Sequence, residues 1–184
     1  MLIVAITGMP GAGKSTAAKA LVSRGWVRVV MGDVIRAETK RRGLEPDARN
    51  TGEVMKSLRR ERGEAAVAEL CMAQVRRVKA DKFVIDGVRS MSEVETFRKS
   101  AKVLLVSVHA SRNRRYSLLK ERGRGDDPFS LDMFRARDRR ELSVGIAEPI
   151  ALADETISNE HATPAMLSRQ MTSVVDRWVG SVAP

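Results

Sequence analysis

Apolar residues along this chain gather in short runs: residues 2–6 (Leu-Ile-Val-Ala-Ile), 26–30 interrupted by Arg28, 83–85 and 103–108 interrupted by Ser107, with a weaker run at 156–157. Runs of this length, rich in β-branched side chains and not alternating with polar ones, suit strands buried on both faces of a parallel sheet. Between them the apolar positions recur at helical spacing. Ala18, Leu21 and Val22 share one face of a first helix that Gly25 can close. Asn50 with Glu53, and Ser90 with Glu93, have the spacing of a capping box. The stretch Gly123-Arg124-Gly125-Asp126-Asp127-Pro128 reads as a loop, and Ser130 or Asp132 can cap the helix after it. Strand-like runs alternating with helical stretches predict a helix-covered α/β sheet.

The first run leads directly into chemistry. Residues 8–16 read Gly-Met-Pro-Gly-Ala-Gly-Lys-Ser-Thr, and Gly8, Gly13, Lys14 and Ser15 fill every specified position of the Walker A pattern between a predicted buried strand and a predicted helix. Glycines let successive backbone N–H groups converge on phosphate oxygens, and the following helix presents its positive end. The expected ATP-binding residues are therefore Gly8, Met9, Pro10, Gly11, Ala12, Gly13, Lys14, Ser15 and Thr16. Lys14 adds a cation near the β- and γ-phosphates, and Ser15 supplies a hydroxyl to Mg²⁺. The fold expectation sharpens to a three-layer P-loop NTPase domain on a parallel sheet of about five strands. Such a loop announces a nucleoside triphosphate without saying what is done with it.

Composition narrows the partners. The 33 Lys and Arg against 23 Asp and Glu give a formal charge of +10, which favours an anionic partner. Aromatic residues make up only 4% of the chain, too few for a platform that stacks single-stranded bases, so the anion is expected to be a small molecule. The 184 residues suit one domain. No apolar run approaches the roughly 20 residues that span a bilayer, and no basic segment precedes the first short run, so a cytoplasmic location without membrane contact is expected. The single cysteine, Cys71, sits in an alanine-rich helical stretch and is assigned to core packing. His109 and His161 are separated and carry no metal-ligand spacing, and the nine methionines are scattered as gap-fillers.

Three further clusters resemble those of adenylate kinase and related nucleoside monophosphate kinases, and the whole chain resembles an archaeal family of adenylate-kinase-related P-loop proteins, with a fainter likeness to dephospho-CoA kinase. The first is Gly32-Asp33-Val34-Ile35-Arg36. The resemblance implies that Arg36 grips the acceptor phosphate and that Asp33 lies near the transferring group; the same spacing also suits a capping acid with a solvated arginine. The second, Phe83-Val84-Ile85-Asp86-Gly87-Val88-Arg89, puts an acid at the carboxyl end of a buried strand. Asp86 can orient Mg²⁺ there as a Walker B carboxylate, and Arg89 is a second acceptor-binding candidate, although a plain surface turn fits as well. The third is Arg124-Gly125-Asp126-Asp127 followed by Arg135. By resemblance Arg124 and Arg135 are catalytic lid arginines, with Arg122 and Arg139 secondary.

The pattern also departs from that of adenylate kinase. The segment after Asp86 lacks a proline, is one residue shorter, and carries Glu93 where a glutamine would read adenine. The long lid is missing, which implies a short metal-free lid at about 121–135; the acceptor-binding helices are expected at about 32–80. Arg112, Asn113, Arg114 and Arg115 could touch phosphate but read rather as the exposed start of a helix, Arg137, Arg139 and Arg140 as a solvated face, and Asn159 as a turn residue. The expected activity is transfer of the γ-phosphoryl group of Mg·ATP to a nucleoside monophosphate or similar phosphorylated molecule. The alternatives are a dephospho-CoA-type hydroxyl kinase, in which Asp33 becomes the base, and a nucleic-acid-associated ATPase suggested by the charge.

Overall fold

The computed structural model describes residues 1–123 and 130–182. Its elements run β1 (Leu2–Thr7), α1 (Lys14–Val22), β2 (Val27–Val30), α2 (Met31–Arg41), α3 (Ala48–Arg62), α4 (Ala66–Val75), β3 (Lys82–Asp86), α5 (Met91–Arg98), β4 (Lys102–His109), α6 (Arg112–Arg122), α7 (Leu131–Ser143), α8 (Ala147–Ala151), β5 (Glu155–Ser158) and α9 (Pro164–Val182). Each of the five apolar runs became a strand, and the strands form one all-parallel sheet in the order β2-β3-β1-β4-β5. This is the expected α/β P-loop fold.

Successive strand residues point to opposite faces, so one run feeds two cores. Ile3, Ala5, Phe83 and Ile85 pack with Cys71 and Met72 of α4 and with Val94 and Phe97 of α5. Val4, Ile6, Val84 and Val106 pack on the other face against Ala17 and Leu21 of α1 and Leu167 and Met171 of α9. Burying a large apolar side chain stabilises by roughly 1.5–3 kcal/mol, which is why both faces of β1 can be apolar without alternation. Cys71 is fully buried, and burial, helped by Glu93, pushes its thiol up to about 12.

The caps follow the sequence with one correction. Ser90 and Glu93 make the reciprocal capping box at the start of α5, and Ser130 rather than Asp132 caps α7, accepting from the Met133 N–H. At α3 the cap is Asp47, which accepts from the N–H of Asn50; Asn50 lies inside the helix and its Nδ2 reaches back to the Glu45 carbonyl. The aspartate two residues after Glu45 offered the stronger acceptor.

The register prepares a crevice. Asp86 at the end of β3 lies between Ile6 of β1 and Val30 of β2. The chain leaves β1 into α1 on one face and leaves β3 into α5 on the other. Divergence of neighbouring connections at the carboxyl edge of a parallel sheet opens a gap there. Among the described residues no helix is long and apolar enough to cross a membrane.

Candidate active site

The loop after β1 is held from three sides. Gly8, at φ +137°, sits so close to β4 that a Cβ there would lie 2.3 Å from the Val108 carbonyl oxygen, and that backbone cannot give way. Gly13, at φ +105°, faces Asn159, whose Nδ2 would meet a Cβ at 2.5 Å. The closeness has a purpose, because Asn159 Nδ2 donates to the Ala12 carbonyl at 2.9 Å while the Asn159 N–H donates to the His109 carbonyl. Asn159 is thus a buried brace on the loop, 147 positions downstream, more than a turn residue. The third support is Arg115, which donates to the Pro10 carbonyl at 3.0 Å and grips Asp138 of α7 with both ends of its guanidinium, at 2.8 and 2.7 Å. The expectation of an exposed Arg115 is therefore corrected: it is 6% accessible and stacked 5.0 Å from the Phe134 ring centre. Arg112 and Asn113 do face outward, while Arg114 borders the cleft with its Nε buried, so a run of four polar residues concealed two that are not solvated.

A cleft of about 520 Å³ opens above this loop. Gly11, Gly13, Lys14, Ser15 and Thr16 line its floor. Arg114 and Leu118 of α6 and Ala162, Pro164 and Leu167 after β5 line one end, a mixed apolar and cationic recess. Gly32, Arg36, Asp86 and Arg89 line the other end, and Arg122, Arg137 and Glu141 also border the cleft. Segments that lie more than 100 positions apart in the sequence therefore share one cavity.

Several expected residues are placed otherwise. Asp33 is not in the cleft lining; its side chain is 64% accessible and pairs with Arg36 one turn on. Arg135 pairs with Asp132 on the outer side of α7 at 3.3 Å and is also absent from the lining, whereas Arg137, two residues along and read as solvated, borders the cleft. Helical geometry explains the exchange, since residues two apart point to nearly opposite sides. Arg124, with Gly125, Asp126 and Asp127, lies outside the described residues. Glu93 does not read a base: it is 1% accessible and accepts from the Arg89 and Ser90 N–H groups and from Arg59. The residue that sequence reasoning missed outright is Glu141, whose carboxylate accepts from Arg89 Nε at 2.8 Å and from Nη2 at 3.3 Å. Its distance of 52 positions from Arg89 left no local signal.

Electrostatics concentrate on Lys14. Its ammonium donates to the carbonyls of Gly8 and Met9, within its own loop. Burial draws it down to about 8, with Asp86 pulling the other way. Burial alone would raise Glu141, but Arg89 and, behind it, Lys14 and Arg137 hold it below the usual carboxylate range.

Ser15 Oγ donates to Asp86 Oδ2 at 3.2 Å. A hydroxyl and a carboxylate side by side on the phosphate-binding floor are hard oxygen donors, the set that suits Mg²⁺ carried in on a nucleotide. Among the described residues no cluster of three or more His, Cys, Asp or Glu side chains is placed to hold a metal ion.

The matching family profile is described as an AAA domain and covers residues 7–135. Curated relatives align over nearly the whole chain: a UPF0200 protein of Methanosarcina barkeri is 41% identical over 181 residues, covering 97% of each chain. A second, from Thermococcus onnurineus, is 46% identical over 164 residues, covering 86% of this chain and 89% of the relative. The chain belongs to the UPF0200 family. Among solved structures, TT1252 from Thermus thermophilus superposes with a TM-score of 0.66 at 22% identity, covering 96% of this chain and 97% of that one. Shikimate kinase from Acinetobacter baumannii, solved with shikimate, gives 0.58 at 14% identity over 100% and 95%. At these identities the likeness speaks to the fold, which this UPF0200 chain shares with P-loop kinases.

Proposed function

We propose that this protein is an ATP-dependent phosphotransferase that moves the γ-phosphoryl group of Mg·ATP to a small phosphorylated acceptor, nucleoside monophosphates being the first class to test. The observation that carries the reading is the shared cleft: the loop with Lys14 and Ser15 on its floor, and Arg36 and Arg89 at one end of the same cavity. Main-chain N–H groups of residues 8–16 and Lys14 would cradle the donor phosphates, with Arg114 and the apolar wall beside Leu118 flanking its base. Ser15 and Asp86 would hold Mg²⁺, which neutralises phosphate charge when bound. Arg36 and Arg89 present planar donors suited to an acceptor phosphate, each already turned toward an anion by its own carboxylate partner, Asp33 or Glu141. Arg122, Arg137 and Arg124 are the candidate lid cations. Arg135, which pairs with Asp132 on the outer side of α7, is a further lid candidate that would have to leave this partner to reach the phosphates.

A phosphate acceptor needs no strong base, since it is itself the nucleophile, so positioning and charge stabilisation carry the reaction. A hydroxyl acceptor is the second reading, supported by neighbours described as a sugar kinase and a shikimate kinase. Its base would have to be found elsewhere than in the expected residue: Asp33 stands outside the cleft lining, and Asp86 and Glu141 are each bonded to an arginine, which leaves Glu121 of α6, also in the lining, as the candidate among the described residues. The test is release of ADP from ATP with AMP, CMP, GMP, UMP, dTMP, dephospho-CoA and shikimate as acceptors. Turnover with a monophosphate, abolished in Lys14→Ala and shifted to a higher KM in Arg36→Ala, is the expected result. Turnover only with the hydroxyl compounds would select the second reading, and hydrolysis stimulated only by RNA or DNA would reject both.

A further inference from the structure

Asp86 does not stand alone beneath the phosphate loop. The Arg28 guanidinium in β2 donates through Nη2 to Asp86 Oδ2, the same oxygen that accepts from Ser15. The register shows how far the arginine reaches. Arg28 lies beside Val84 and it is Val30 that lies beside Asp86, so Arg28 climbs diagonally past one same-face neighbour to make the bond. Both groups are withdrawn from water, at 23% and 5% side-chain accessibility.

Two features separate this pair from an ordinary structural salt bridge. The first is its geometry. The same molecule shows what a stability-optimised pair looks like, in Arg115 and Asp138, where two guanidinium nitrogens meet two carboxylate oxygens. Arg28 instead uses one nitrogen end-on, and its Nε is buried without a hydrogen-bond partner among the described residues. An arginine that leaves a buried donor unsatisfied forgoes the fork geometry that makes such pairs strong. The second is its place. It occupies the one carboxylate oxygen turned toward Ser15, in the donor pair that would serve the nucleotide's metal.

A buried carboxylate with no counter-charge is costly, and an internal cation removes that cost. The same cation competes with any other that approaches. We propose that Arg28 is a resident counter-ion of Asp86 that must release it before Asp86 can serve Mg²⁺, so that Arg28 sets how much metal the nucleotide-loaded protein requires. This rests on the phosphotransferase reading only in taking Ser15 and Asp86 as the metal's residues. Arg28 is a positioning residue on this view, acting through Asp86 and touching neither nucleotide nor acceptor.

The test is a Mg²⁺ titration of ADP binding, followed by calorimetry at fixed ADP, in the wild type, Arg28→Met and Arg28→Lys. With the competitor removed, the Mg²⁺ midpoint should fall about fivefold or more in Arg28→Met and return toward the wild type in Arg28→Lys. A midpoint in Arg28→Met that is unchanged or higher overturns the proposal. If Arg28→Met does not fold, Arg28→Gln serves in its place, and the rise in melting temperature on adding Mg·ADP gives a second readout: it should exceed the wild-type rise, and a rise no larger overturns the proposal. Should the wild type bind ADP without any response to Mg²⁺, the metal reading fails along with this one. Should the wild type respond and the variants match it, Arg28 alone is misassigned.

Discussion

Lys14 shows how a single residue's environment sets a measurable property. Its pKa of about 8 against an ordinary 10.5 follows from burial, which disfavours the ammonium. A bound polyphosphate restores the charge by placing anionic oxygens where the hydrogen-bond acceptors of Lys14 are now the carbonyls of Gly8 and Met9. Between those two pH values the free protein holds Lys14 largely neutral and the complex holds it protonated, so binding takes up a proton and weakens as pH rises through that window. Calorimetry of ADP binding near pH 9 in two buffers of different ionisation enthalpy should report an uptake approaching one proton, close to zero near pH 7, and none in Lys14→Met. Uptake that persists in Lys14→Met would assign the proton elsewhere.

Residue-scale reading from the sequence alone worked where a local pattern forces a local geometry. The Walker glycines were legible because positive φ and close backbone approach admit nothing else at Gly8 and Gly13. The capping box at Ser90 was legible because both of its partners lie within four positions, and the same box also explains why Glu93 is unavailable to a ligand. Glu141 and Arg28 were not legible, since their roles depend on partners 52 and 58 positions away.

At the level of elements, the five strands could be read because residues buried on both faces need no periodicity to announce them. Helix faces were harder. The segment of α6 that begins Arg112-Asn113-Arg114-Arg115 has no apolar stripe at its start, yet it turns Arg115 inward because Asp138 of α7 and the Pro10 carbonyl await it there. That bond joins the phosphate loop to α7, the helix that carries Arg137 and Glu141 to the edge of the cleft. Removing one partner of a buried pair strands the other's charge, so Arg115→Met should cost about 3–5 kcal/mol in urea unfolding. The double variant Arg115→Met with Asp138→Leu should recover much of that loss. If Arg115→Met loses less than 1 kcal/mol, the pair does not hold α7 to the loop.

For the whole molecule, the two cores share one sheet. Every strand contributes side chains to one core or both, so neither face can be lost while the other keeps its floor. Trp26 belongs to the core beneath α1 and α9, and Trp178 packs against it, so tryptophan fluorescence reports one face while far-UV circular dichroism reports both. The two signals should trace a single urea transition with one midpoint. Separate midpoints would mean that the helices around α4 and α5 melt on their own. The charge of +10, by contrast, says nothing about cooperativity; it bears on encounter with anions and on solubility.

The brace from Asn159 to Ala12 has a consequence for how this protein can be divided. The stretch that matches the AAA-domain profile stops at residue 135, and every nucleotide-loop residue lies inside it. Its prop does not. A fragment trimmed to that profile would keep the signature intact while discarding the edge strand β5, α9 and the amide that pins the loop's crest. The motif and its scaffold therefore stand as one structural unit, and grafting the first without the second would transfer the letters but not the shape.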